Sequence, residues 1–354
     1  MSRNAWTKLA FIVTAMLVVA GTFGCAATPE PVKSAATAAA KSGAQSARTY
    51  TVRWSDRLTP QGILFKGGRY AQKYGLDVKY AMFPSGIEIR DALISGDIDI
   101  GEVGITPALT GLARAADKMI IVGVSSFGGG KYEVIVGKNS PYKDIKDLVG
   151  KKIAVKVGSG CHTAFLLWAK SQGLNAEKDF QLLDMGDVDS MAALETKSVD
   201  AVVYWEPIPA LLISKGIGRE IFNFAGLVNN PVYLMARRDF AEKNPEAVAR
   251  FLAAWQDTNQ MMVFNLKEAA QISSKELSSQ GIAVPPEAYA IALTKETYEI
   301  WLYPDLIKET QGLFSSLQAD NKIAKDAKID WQQVIKPEYA ARAHEILVEK
   351  ALGN

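Results

Sequence analysis

Cysteine and histidine are scarce in this chain. Its 354 residues hold two cysteines, Cys25 and Cys161, so no disulfide framework can staple the fold, and stability has to come from buried apolar surface. The two histidines, His162 and His344, form no metal-ligand spacing with other residues, and no Walker-type phosphate loop occurs. Charge of one sign is missing too. Forty basic residues against 38 acidic ones leave a formal charge of +2 with no basic block, which speaks against a nucleic-acid partner. What is present is an ordinary globular composition, 48% hydrophobic and 22% charged, which excludes wholesale disorder. The length suffices for two domains with a sizeable core.

The N-terminus departs from that average. Arg3 and Lys8 precede the uncharged stretch Leu9 to Ala20, followed by small residues, which is the layout of a secretory signal over residues 1–24. The apolar core is too short to span a bilayer; extended to Ala27 it also fits an uncleaved anchor. Thr22-Phe23-Gly24-Cys25 resembles a bacterial lipobox, in which the cysteine becomes a lipidated N-terminus, although Thr22 and Phe23 depart from the usual residues. The competing reading is an ordinary signal cut near Ala27. Residues 25–48, rich in Ala, Ser and Lys without apolar periodicity, read as a flexible tether.

From Thr49 onward, short apolar strands alternate with amphipathic helices, the pattern of doubly wound α/β sheets. Strands are expected at Tyr50 to Trp54, Asp77 to Met82, Ile98 to Val103 and Lys118 to Val124. A second set follows at Lys152 to Val157, Phe180 to Asp184, Val199 to Trp205 and Glu220 to Phe224. The two sets echo each other residue by residue. Ala92, Leu93 and Asp99 recur as Ala193, Leu194 and Asp200, each 101 positions later. Two similar lobes follow, lobe 1 from residues 49–128 and 232–354, lobe 2 from 129–231. Phe127-Gly128-Gly129-Gly130 and Val228-Asn229-Asn230-Pro231 introduce two connecting strands, Tyr132 to Val136 and Val232 to Ala236, and read as hinges or as plain turns. The largely helical remainder, from Pro245 on, is expected to pack back onto lobe 1.

Ligands of open α/β sheets sit at the carboxyl ends of the strands. That rule selects Trp54, Asp56 and Arg57 after the first strand, Ser85 and Gly86 after the second, and Thr106 after the third. In lobe 2 it selects Gly158, Ser159, His162, Thr163, Asp187 and Glu206. Hydroxyl and glycine residues ahead of a helix expose free N–H groups at its positive end, which suits an anion; they also serve as plain helix caps. Glu206 would repel an anion and pair with an amino group, or it simply begins a helix with Pro207. Trp54, Tyr204 and Trp205 either wall in a ligand or belong to the core.

The runs Ala92 to Leu109, Tyr132 to Gly158 and Val199 to Pro207 resemble the periplasmic binding proteins of ABC importers for nitrate, sulfonate and taurine, a superfamily that includes thiamine-pyrimidine binders. The resemblance implies the two-lobed periplasmic binding protein fold (type II), with two crossover strands and closure on ligand like a flytrap. It places ligand loops on Ser85, Thr106, Ser159 and Glu206. The first loop, Ser55 to Pro60, departs from the small-residue loop common in that family. Implied partners are a small-molecule ligand and the permease and ATPase subunits, with lipidated Cys25 as membrane tether at the periplasmic or cell surface. A working monomer without cofactor or metal is expected.

Two other classes compete. Pyrimidine-synthase relatives on this fold carry a cysteine-rich motif and an active-site histidine, which this chain lacks; Cys161 and His162 are adjacent and rarely would face each other across a site. A ligand sensor differs from a transport protein only in its partner. The lipobox reading has a direct test: radiolabelled palmitate enters the wild-type protein in a bacterial host and disappears in Cys25→Ser. An unlabelled wild type with Thr28 at its N-terminus would instead establish the ordinary signal.

Overall fold

The computed structural model describes residues 49–353; the signal, the tether and Cys25 lie outside the described residues. Ten strands divide between two five-stranded sheets. Those of the first sheet are β1 (Tyr50–Asp56), β2 (Leu76–Met82), β3 (Ile100–Gly104), β4 (Met119–Ser126) and β10 (Val232–Arg237). Those of the second are β5 (Tyr132–Gly137), β6 (Lys152–Val155), β7 (Gln181–Asp184), β8 (Ala201–Trp205) and β9 (Gly218–Asn223). The orders are β2-β1-β3-β10-β4 and β7-β6-β8-β5-β9, so the sheets repeat one another position for position. In each, three parallel strands lead and an antiparallel strand fills the fourth place. That fourth strand is the crossover: β5 follows β4 into the second sheet, and β10 follows β9 back into the first.

The residue-level echo has a structural cause. Asp99 accepts the backbone N–H of Arg53 on β1, and Asp200 accepts that of Lys152 on β6, each at the start of a central strand. Each aspartate returns its own N–H to the carbonyl of the same residue. Strands β4, β5 and β8 are almost wholly buried and read as mainly apolar runs rich in Val and Ile rather than as alternating ones, as strands covered on both faces do.

Helices follow the strands with caps at their starts. Helix α1 (Pro60–Gly67) begins with Thr59 accepting from Gly62 N and Pro60 in the first turn. Helix α2 (Gly86–Ser95) is capped by Ser85, and α4 (Gly160–Ser171) by Ser159; α3 (Ile105–Ala115) starts directly after Gly104 with no side-chain cap. The glycine triplet at the β4–β5 crossing is a packed junction. Gly128 takes φ +119, open to glycine alone without strain, and a Cβ on Gly129 would lie 2.1 Å from the Phe224 carbonyl.

The C-terminal part does more than cover lobe 1. The helix Pro245–Phe264 packs on α1 and on β1, β2 and β4 as expected. The helix Pro286–Ala292, however, packs against the helix Ile208–Ser214 of the second sheet, and the segment after it runs along the crossing, where Thr297 bridges Phe127. The lobes meet across the cleft as well: Thr106 and Thr163 hydroxyls are 2.8 Å apart and buried, and Lys322 pairs with Glu177 at 2.6 Å on the rim.

Trp54 belongs to this core. It is 1% exposed, on the same face of β1 as Val52, with ring centroids 4.7 Å from Phe251 and 5.0 Å from Trp255. Trp54→Ala should therefore cost about 3–5 kcal/mol of stability, read by urea unfolding, and leave the dissociation constant of the folded fraction unchanged. A loss of affinity without loss of stability would return Trp54 to the ligand.

Candidate functional site

A cavity of about 40 Å³ lies between the sheets, where the carboxyl ends of β1, β3, β6 and β8 face one another. It is lined from both lobes and from the C-terminal segment. Of the residues singled out by sequence, Arg57, Gly86, Ser159, Trp205 and Glu206 line it. The others are placed around it.

Ser85 is fully buried and caps α2, accepting from Ile87 N and donating to Glu88. Thr106 and Thr163 spend their hydroxyls on each other, closing the cleft. Asp56 is paired with Lys66 at 2.7 Å, outside the cavity lining. Gly158 takes φ +80 and gives its N–H to His162 Nδ1 at 3.2 Å, so His162 is held inward as a neutral acceptor. Burial pushes the His162 pKa down to about 4. Asp187 is buried beside the cavity, its pKa pushed up to about 6 by burial while the Arg57 charge pulls the other way.

Arg57 is the centre of the arrangement. It is 8% exposed, its Nε has no hydrogen-bond partner, and among the described residues no carboxylate lies within ion-pair distance of it. Its guanidinium lies over the Trp205 ring, 5.0 Å from the centroid, which carries it across the cleft from lobe 1 to lobe 2. Trp205 Nε1, on the same wall, is a second buried donor without a partner. A buried, unpaired guanidinium is costly unless an anion meets it. The first turn of α4 faces the same space through Ser159 and Gly160. Gly160 cannot carry a side chain there, because its Cβ would lie 2.3 Å from the Tyr132 hydroxyl.

Three carboxylates share the lining. Glu102, at the centre of β3, accepts from Thr59 Oγ1 and Ser125 Oγ, each at 2.7 Å. Glu296 accepts from Ser126 Oγ and pairs with Lys131 at 3.1 Å; both partners of that pair are nearly inaccessible, and burial pushes the Lys131 pKa down. Glu206 is 2% exposed and does both things its position allowed. Its Oε2 accepts Ala210 N at 3.2 Å, capping the helix Ile208–Ser214, while the side chain lines the cavity. Burial pushes its pKa up to about 7. The peptide bond between Glu206 and Pro207 is cis.

Sequence reasoning missed Glu102, Lys131 and Glu296. A charged residue in the middle of the buried run Ile98 to Val103 and a lysine directly after a glycine triplet were available signals for Glu102 and Lys131. Nothing local marks Glu296.

A model of the NMT1-like family matches residues 57–277, more than half of the chain. The putative aliphatic sulfonates-binding protein of Bacillus subtilis (strain 168) is 31% identical over 277 residues, covering 77% of this chain and 80% of that protein. The taurine-binding periplasmic protein of Escherichia coli (strain K12) is 29% identical over 231 residues, covering 63% and 70%. Among solved structures, the alkanesulfonate-binding protein SsuA from Xanthomonas axonopodis pv. citri bound to MOPS aligns with a TM-score of 0.72 over 82% of this chain and 99% of that one, at 22% identity, a likeness of fold.

The buried histidine gives a test of the site's electrostatics. A histidine with a depressed folded pKa contributes stability that is present above its unfolded value, about 6.5, and lost as pH falls toward 4. His162→Asn keeps an acceptor for Gly158 N–H and does not titrate there. Unfolding free energies at pH 7 and pH 5 should show a smaller acid loss in the variant than in the wild type; equal losses would mean that His162 is solvated.

Proposed function

The chain belongs to the NMT1-like family and has the two-lobed fold of periplasmic binding proteins, and on that premise we propose that it captures a small sulfonate between its lobes for an ABC importer. The observation that carries this reading is Arg57: a buried guanidinium with no carboxylate partner, in a small cavity, beside a second unpaired donor on Trp205. A sulfonate offers three acceptor oxygens to such donors, and charge-assisted bonds in a dry site are the strong ones. The first turn of α4, entered through Ser159 and Gly160, adds backbone N–H groups and the positive end of its dipole.

The rest of the lining favours an amino group on the same molecule. Lys131 is already matched by Glu296, and both Glu102 oxygens are held by hydroxyls, so the lining charges without a side-chain hydrogen-bond or ion-pair partner among the described residues are Arg57 and Glu206. A zwitterion of taurine's kind would set its sulfonate against Arg57 and its ammonium against Glu206. The sulfonate and taurine named for the two relatives agree with that choice. Capture by closure follows from ligand contacts to both lobes, because a ligand that binds the closed state better shifts the population toward it. Export through residues 1–24, tethering by Cys25 and delivery to a permease and its ATPase complete the proposal.

Calorimetric titration of taurine and of an unsubstituted alkanesulfonate tests both ends. Arg57→Gln should weaken both ligands by about ten- to a hundredfold, the worth of a hydrogen bond to a charged group. Glu206→Gln should weaken taurine alone by a similar factor and leave the alkanesulfonate equal or tighter. Undiminished binding of both ligands to Arg57→Gln would end the sulfonate reading.

A further inference from the structure

Glu206 is a partition between two spaces. On one side is the ligand cavity; on the other is a second cavity of about 70 Å³, bounded by Glu133, Ala210, Ser214, Ala288 and Lys295. Glu133 stands on β5, in the strand pair β5–β8 that ends at Glu206, and its side chain is 1% exposed. Lys295 Nζ reaches Glu133 Oε1 at 3.0 Å and Glu220 at 3.3 Å. No described group donates a hydrogen bond of good geometry to either Glu133 oxygen, the Lys295 contact to Oε1 being an ion pair alone. A buried carboxylate oxygen without a donor is expensive, and a second carboxylate beside it makes it more so.

The arrangement is resolved if one oxygen carries a proton. A protonated Glu133 would keep Oε1 against the Lys295 charge and donate through Oε2–H to a neighbouring carboxylate; Glu206 and Glu220 both face it, and Glu220 is already paired with Lys295, which leaves Glu206 as the acceptor. Lys295 then balances its charge with Glu220. We propose that Glu133 is a positioning residue that stays protonated in the neutral range and donates a hydrogen bond to Glu206, leaving Glu206 as the group that gives up a proton when a ligand presents an amino group. This rests on the ligand reading above. The proton leaves the Glu206 carboxyl for solvent through the second cavity, whose rim includes the exposed Ile213 and Ile291.

The surrounding charges bear on both groups. Glu206 is faced by Glu133 from β5, by Lys295 and Glu296 from the C-terminal segment, by Arg57 and Lys131 in the ligand cavity, and by the buried phenols of Tyr289 and Tyr298. Glu133 is faced by Glu206, by Glu220 on β9 and by Lys295. Burial raises both pKa values, and the Glu206 charge raises that of Glu133 further.

The experiment has one arm that needs no ligand. Carbon-13 NMR of glutamate carboxyl groups in the ligand-free protein should show one that stays protonated through pH 8 and vanishes in Glu133→Gln, and a second that titrates near neutrality and vanishes in Glu206→Gln. In the second arm, taurine titrated at pH 6, 7 and 8 in buffers of different ionisation heat should release a proton at pH 6, a fraction at pH 7 and almost none at pH 8, with affinity rising over that range. Glu133→Gln, which keeps both the acceptor and the donor, should retain that profile. Glu133→Leu should move it to higher pH and weaken taurine about tenfold at pH 7. An ionised Glu133 at pH 7 in the NMR arm, or a profile lost in Glu133→Gln, would overturn the proposal. Failure of taurine to bind while the NMR arm holds would overturn the ligand reading instead.

Discussion

The exchange of one strand between the sheets is the constraint from which the site follows. Because β10 lies fourth in the first sheet and β5 fourth in the second, the two crossings run side by side, and the strand ends of one lobe are turned toward those of the other. A cavity built this way has walls on two lobes. Arg57 crosses the gap to lie on Trp205, and Thr106 meets Thr163. The twin aspartates Asp99 and Asp200 pin the central strand of each sheet to the strand beside it, so the loops bearing these contacts leave from rigid starts.

The electrostatics of the cavity reduce to what is left unmatched. Buried charges persist when each finds a partner, and here Lys131 has Glu296, Glu102 has two hydroxyls, and Asp56 has Lys66. Arg57 and Glu206 remain. They carry opposite signs within one lining.

The alternation of strands and helices, the duplication and the crossover positions were all legible, because hydrophobic period and glycine punctuation are local properties of the chain. The site was legible only in part, and the reason is direction. Trp54 and Arg57 are three residues apart at the end of one strand, yet Trp54 faces the core below the sheet while Arg57, in the loop beyond, faces the cleft. Sequence places both at the strand end and cannot orient either. For Ser159 and Glu206 the alternatives of capping a helix and lining the cavity were both realised, since a helix start that faces a cleft does each with different atoms. Glu296 was out of reach altogether: it lies in a connection between two helices of the C-terminal part, and only the tertiary structure brings it to Lys131.

The strand exchange also makes the lobes unequal in assembly. All five strands of the second sheet lie between Tyr132 and Asn223, an unbroken stretch that can collapse on itself as soon as it exists. The first sheet holds β1 to β4 early in the chain but lacks its fourth place until Val232 arrives, with the whole second lobe as the intervening loop. Closing so long a loop carries an entropic cost that local pairing does not, and until it closes β3 and β4 keep open edges. The lobe that appears first in the chain is thus the one completed last, and its unpaired strands are the surface that a holdase would need to shield.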